Sequence, residues 1–154
     1  MNKHITTVSE EAIKQLIVFE GLKLKPYRDS ANVPTIGIGT IRYPTGGRVT
    51  MFDPPITEYQ AKMFMKHDLE AFENGVDALT VNIITQGQFD ALVLFAYNVG
   101  LGALRGSTLL KKVNKNPNDV TIVEEFTKWI FADGKKVKGL LTRRNVEAKI
   151  YAGL

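Results

Sequence analysis

Residues 20–40 read EGLKLKPYRDSANVPTIGIGT, and this stretch decides the fold. A glutamate stands beside a glycine, an aspartate follows nine positions later, and a threonine six beyond that. Upstream, residues 9–20 have helical spacing. Ser9 can cap the helix, Glu10 and Glu11 suit its positive end, and Ile13, Leu16, Ile17 and Phe19 supply the apolar positions. Gly21 is a natural stop. Glu20 therefore falls in the last turn, at the negative end of the helix dipole. Downstream, Pro26, Pro34 and Pro44 with Gly37, Gly39, Gly46 and Gly47 break any helix. The short runs KPYRD, PTIGIGT and RVTMF predict a small antiparallel sheet, with Pro26 on an edge strand.

If TIGIGT is a strand, its side chains alternate. Thr35, Gly37 and Gly39 then share a nearly bare face against which a flat substrate could lie, while Ile36, Ile38 and Thr40 face the core. A five-residue turn, Ser30–Pro34, would set Asp29 opposite Thr35 and point both the same way. A four-residue turn would put them on opposite faces.

Beyond Asp53-Pro54-Pro55 the pattern becomes helical. Thr57 and Gln60 form a capping-box pair ahead of Ala61, Phe64, Met65, Leu69, Phe72 and Val76, which predicts one long helix over about 57–78. Thr85 and Gln88 repeat the device before FDALVLFAYNVG, apolar nearly all round and so the expected central helix, ending at Gly100. Further helices are expected near 107–115, 120–131 and 142–152. The pattern is α+β, one domain over 1–154. A small antiparallel β lobe at about 21–56 follows the first helix. A long helix joins it to a larger helical lobe made of about 57–154 plus helix 9–20. A cleft between lobes is the expected ligand site.

The 154 residues are 44% apolar, enough for a core, and contain no cysteine, so disulfides and thiolate chemistry are excluded. The opening MNKHITTVSEE has no secretory apolar run, and no stretch is apolar for long enough to span a bilayer. Residues 1–102 carry nine Lys+Arg and eleven Asp+Glu, net −2; residues 103–154 carry eleven and five, net +6. The basic final third suits an anionic partner, or simply a solvated helical face.

Glu20 falls at a helix end among apolar neighbours, whereas Asp29 falls in a polar turn. Two carboxyls set apart in this way suit general-acid and general-base roles at a glycosidic bond. An ordinary surface glutamate and a turn-opening aspartate would also fit, and spacing alone does not separate the two readings. His4 and His67 stand alone, and no zinc spacing is present. Gly37-Ile38-Gly39 has Arg42 where a dinucleotide fingerprint needs a third glycine, so nucleotide binding is excluded. Arg143 and Arg144 lie on an ordinary amphipathic pattern and read as packing residues, not as a DNA-reading helix.

The segment EGLKLKPYRDSANVPTIGIGT resembles the active-site segment of phage-type lysozymes, glycoside hydrolase family 24. The resemblance continues through ITEYQAKMFMKHDL, QFDALVLFAYNVG, STLLKKVN and the final Trp129…Gly139-Leu140…Arg143-Arg144…Glu147. It implies a lysozyme-like fold and an endolysin, an N-acetylmuramidase. Such an enzyme cleaves the β-1,4 bond between N-acetylmuramic acid and N-acetylglucosamine in peptidoglycan, by inversion and with no cofactor or metal. Glu20 would be the proton donor, with Asp29 and Thr35 holding the attacking water. Ile41, Tyr97 and Thr108 match substrate-contact positions, and Gly39 joins them through the bare face above. Thr40 stands where many relatives have histidine. The expected partners are peptidoglycan strands and, through the basic final third, the anionic envelope. Nucleic acid, stable membrane insertion and oligomerisation are not expected. The protein would be held in the host cytoplasm until a separately supplied membrane lesion released it. A lytic transglycosylase, or a wall-binding relative without catalysis, are the rival readings.

Overall fold

The computed structural model describes residues 4–154; the first three residues of the polar N-terminal stretch lie outside the described residues. Contacts divide the described chain into two compact units, residues 13–71 and residues 4–12 with 72–154.

Helix α1 (Glu10–Glu20), which belongs to the first unit from Ile13 onward, has Ser9 ahead of it, whose hydroxyl accepts from the Ala12 amide at 3.2 Å. It ends where Gly21 turns left-handed at φ 81° and its amide reaches the Ile17 carbonyl at 2.8 Å. Strand β1 (Lys23–Arg28) pairs antiparallel with β2 (Pro34–Gly37), Tyr27 opposite Thr35 and Arg28 opposite Pro34. The connection is the expected odd number of residues. It runs over 29–33 instead of 30–34, so Thr35 faces Tyr27 and not Asp29. Parity is kept: positions 27, 29, 33 and 35 fall on one side of the hairpin.

The expected strand TIGIGT does not continue. Gly37 and Gly39 adopt φ of 68° and 80°, and the chain folds back so that the amides and carbonyls of Ile36 and Thr40 pair at 2.9 and 3.0 Å. Glycine alone enters this region freely, so the two glycines are hinges of a tight reversal and not vacancies on a flat face. The core side of the reading holds: Ile36, Ile38 and Thr40 are all fully buried. The expected third strand over RVTMF reduces to one bridge between Arg42 and Arg48. Ile13, Leu16, Val49, Ala61, Met65 and Leu69 complete this core.

Helix α2 (Glu58–Leu79) matches the expected long helix. Its capping box is formed in full, Thr57 amide to Gln60 Oε1 at 2.9 Å and Gln60 amide to Thr57 Oγ1 at 3.1 Å. In the second unit, helix α3 (Gln86–Val99) carries the Thr85–Gln88 box and buries every residue from Gln88 to Ala96. It packs on helix α7 (Lys138–Ala152), which also holds helix α6 (Ile122–Phe126). Phe95 of α3 meets Phe126 and Trp129 edge-on at 5.7 and 5.5 Å.

Helices α4 (Leu101–Arg105) and α5 (Thr108–Lys115) lie between α3 and α6; the first was not anticipated. The helix expected over 120–131 stops at Phe126. Strands β3 (Phe131–Ala132) and β4 (Lys135–Lys136) follow, joined by Asp133 and Gly134 at φ of 51° and 75°. An Asp-Gly pair fits a two-residue hairpin turn with positive φ at both positions, which no helix accommodates. The last helix starts at Lys138, four residues before its expected start at 142.

Candidate active site

Glu20, Asp29, Thr35, Gly39 and Ile41 belong to the unit of residues 13–71; Tyr97 and Thr108 belong to the other. Glu20 is the half-buried last residue of α1. The helix end fixes where its carboxyl begins.

Asp29 and Thr35 are fixed by one shared residue. Asp29 Oδ1 accepts from the amides of Ala31 and Val33 at 2.8 and 2.9 Å, and Thr35 Oγ1 donates to the Val33 carbonyl at 2.8 Å. The peptide groups of Val33 thus hold both side chains. The reversal that makes this possible is local. Asn32 takes φ 64°, a left-handed position that asparagine tolerates, and the Asp29 amide closes on the Val33 carbonyl at 3.0 Å. Among the described residues nothing bonds to Asp29 Oδ2. One oxygen is pinned and its twin is available as an acceptor. Thr35 is 2% exposed, and its proton is committed to Val33, so its hydroxyl oxygen is left to accept.

Tyr27, which sequence reasoning passed over, lies directly across from Thr35. Its phenol is held above the ordinary value, first by burial and then by the negative charges of Glu20 and Asp29. Both carboxylates therefore act on the same ring. Lys23 Nζ sits 4.2 Å from that ring's centroid. The signal available in the sequence was parity: in PYRD, Tyr27 and Asp29 alternate onto one face.

The remaining candidates are placed as follows. Gly39 is the second hinge of the Ile36–Thr40 reversal. Ile41 is 51% exposed, with its carbonyl accepting from Val49 at 3.0 Å. Thr40 donates to Asp68 Oδ2 at 2.8 Å from a fully buried position, and burial raises the Asp68 carboxyl above its usual range. The Thr40 position is thus a packing and hydrogen-bonding one. Tyr97 stacks edge-on against Phe72 at 5.2 Å. Thr108 is exposed in the first turn of α5, behind the Ser107 cap.

A small two-stranded antiparallel sheet following the first helix, in a chain that is otherwise mainly helical, defines a lysozyme-like α+β fold. A family model for phage lysozyme matches residues 17–147. The endolysin of Bacillus phage B103 is 41% identical over 94% of this chain, which spans 53% of that protein. The endolysin of Salmonella phage P22 is 33% identical over 94% of this chain and 97% of its own length. Among solved structures, an endolysin from the Escherichia coli O157:H7 phage FAHEc1 superposes with a TM-score of 0.87 at 39% identity, covering 98% of this chain and 96% of that one. The chain belongs to the phage lysozyme family. It spans about half the length of the Bacillus phage relatives it matches.

Proposed function

We propose that this protein hydrolyses the β-1,4 bond between N-acetylmuramic acid and N-acetylglucosamine in bacterial peptidoglycan, with inversion at the cleaved carbon. The observation that carries the reading is the anchoring of Asp29 and Thr35 on the same residue, Val33, which leaves Asp29 Oδ2 and the lone pairs of Thr35 Oγ1 without a bonded donor among the described residues. Glu20 gives its proton to the leaving glycosidic oxygen. The water donates to Asp29 and Thr35, attacks the anomeric carbon from the opposite face, and passes its proton to Asp29. Inversion requires the two carboxyls to stand about 6.5–9.5 Å apart, room for that water. Ile41, 51% exposed in the unit that carries Glu20 and Asp29, is a glycan contact in this reading.

The protein acts as a monomer on the wall, reached from the host cytoplasm, and its action ends in host lysis. The basic final third draws it to the anionic envelope, an attraction that weakens as salt shortens the screening length.

The test is mass analysis of fragments from purified peptidoglycan, wild type beside Glu20→Gln. Reducing muramic ends from the wild type and none from a folded Glu20→Gln are expected. Anhydro ends would identify a transglycosylase, and undiminished turnover by the variant would remove Glu20 from the role of acid.

A further inference from the structure

The hydroxyl of Tyr27 has no role in the chemistry above, yet the residue lies on the hairpin that carries Asp29 and Thr35. The ring stands opposite Thr35 in the ladder, on the side of the hairpin that parity gives to Asp29. Lys23 Nζ lies over one face of the ring at 4.2 Å. Among the described residues no hydrogen bond reaches the phenol oxygen, which is not among the buried, unsatisfied atoms and so remains open to solvent. A half-buried tyrosine ordinarily uses its O–H on a protein partner. Here two carboxylates act on the phenol and neither bonds to it.

In an inverting site the acid and the base flank the sugar on opposite faces. Tyr27 shares its side of the hairpin with Asp29 and Thr35, so a sugar held by those two groups lies within reach of the phenol. The edge of an N-acetylated sugar presents oxygen acceptors, the acetamido carbonyl among them. Hydrogen bonds to the C2 substituent strengthen as the oxocarbenium-like transition state forms.

We propose that the Tyr27 hydroxyl is a substrate-binding donor. It hydrogen-bonds an oxygen at the edge of the sugar cleaved between Glu20 and Asp29, and does so most strongly in the transition state. This rests on the functional reading above. Because burial and the two acids keep the phenol protonated, the donor is present throughout the working pH range. The contribution is therefore independent of pH.

The experiment compares wild type with Tyr27→Phe, which removes one oxygen and keeps the ring under Lys23. Kinetics are measured on a soluble peptidoglycan tetrasaccharide from pH 5 to pH 9, with thermal melts on both proteins. Expected is a fall of about tenfold in kcat, the worth of one neutral hydrogen bond, with KM within about twofold and a parallel pH profile. An unaltered melt is expected beside it. An unchanged kcat in Tyr27→Phe beside an active wild type overturns the assignment and leaves the functional reading standing. A loss confined to one limb of the pH profile also overturns it, because Tyr27 would then act through the ionisation of its acidic neighbours. An inactive wild type overturns the functional reading itself, and the inference with it.

Discussion

Removing Arg144 should destabilise this protein more than almost any other single change, and increasingly so as pH rises. Arg144 and Glu147 are both wholly buried on α7, with Arg144 Nε 3.0 Å from Glu147 Oε1. Arg144 also donates to Asn98 Oδ1 at 2.5 Å and lies 5.1 Å from the Phe95 ring centroid. Arg143 Nε approaches the other Glu147 oxygen at 3.4 Å. The pairing is imperfect: Arg144 Nε and Nη1 and Glu147 Oε1 have no aligned hydrogen bond. Burial therefore outweighs attraction, and Glu147 is pushed up to about 7 in spite of the two guanidiniums.

At pH 8, where Glu147 is ionised in the wild type, Arg144→Met keeps the packing but leaves the carboxyl without its main partner, at a cost of about 3–5 kcal/mol. A chain of this length unfolds with an entropy near 0.3 kcal/mol/K, so each kcal/mol moves Tm by about 3 °C and the expected loss is about 10–15 °C. The pH dependence follows from the raised folded-state value. The folded form holds its proton more tightly than the unfolded chain, whose value is 4.5. Stability from this group is fully present below about 4.5 and is lost as pH climbs through about 7. Taking away Arg144 raises Glu147 further, so the Tm deficit should grow between pH 5 and pH 8. Adding Glu147→Leu to Arg144→Met should recover more than half of the loss, because no charge is then left uncompensated at position 147. Calorimetric melts of the three proteins at both pH values check this. A single variant within about 3 °C of wild type, or a double variant no better than the single, would refute the reasoning.

Thr40→Val should cost about 1–2 kcal/mol, seen by urea titration, since the half-buried Asp68 loses its donor. Burial raises Asp68, so its contribution is greatest at low pH and declines as pH rises past the ordinary carboxylate range; Asp68→Asn should flatten that slope. Gly37→Ala forces a left-handed φ of 68° on a residue with a Cβ, and sets that Cβ 3.2 Å from Ala61 Cβ. About 2 kcal/mol, or about 6 °C in Tm, is expected, and a second change, Ala61→Gly, should return only the steric part. Asp29→Asn should lower turnover of purified peptidoglycan about 10²–10⁴-fold and Thr35→Ala by less, each with a melt near that of the wild type.

Signals confined to one turn of chain were legible in the sequence. Both capping boxes, Thr57 with Gln60 and Thr85 with Gln88, formed where they were read, because a cap needs only four consecutive residues. Glu20 at the end of α1 followed from Gly21 in the same way. Gly37 and Gly39 were misread because the absence of a side chain was weighed and the freedom of the backbone was not. The Asp133-Gly134 turn carried its own signal, overridden by apolar spacing that continued through Trp129 and Ile130. The spacing of Arg144 and Glu147 was visible, but their full burial is set by α3 and α7 packing together, which no local pattern encodes. At the candidate site the odd loop length was the correct criterion. The sharing of Val33 by Asp29 and Thr35 depended on a one-residue shift that spacing could not fix.

The proposed water, oriented by Asp29 and Thr35 on the face opposite Glu20, is tested most directly by the anomer first released from a soluble peptidoglycan oligosaccharide, followed by proton NMR before mutarotation. Attack by that water gives the α-anomer at the new reducing end. Early accumulation of the β-anomer would mean a covalent intermediate or attack from the leaving-group side, and would contradict the assignment of Asp29 and Thr35.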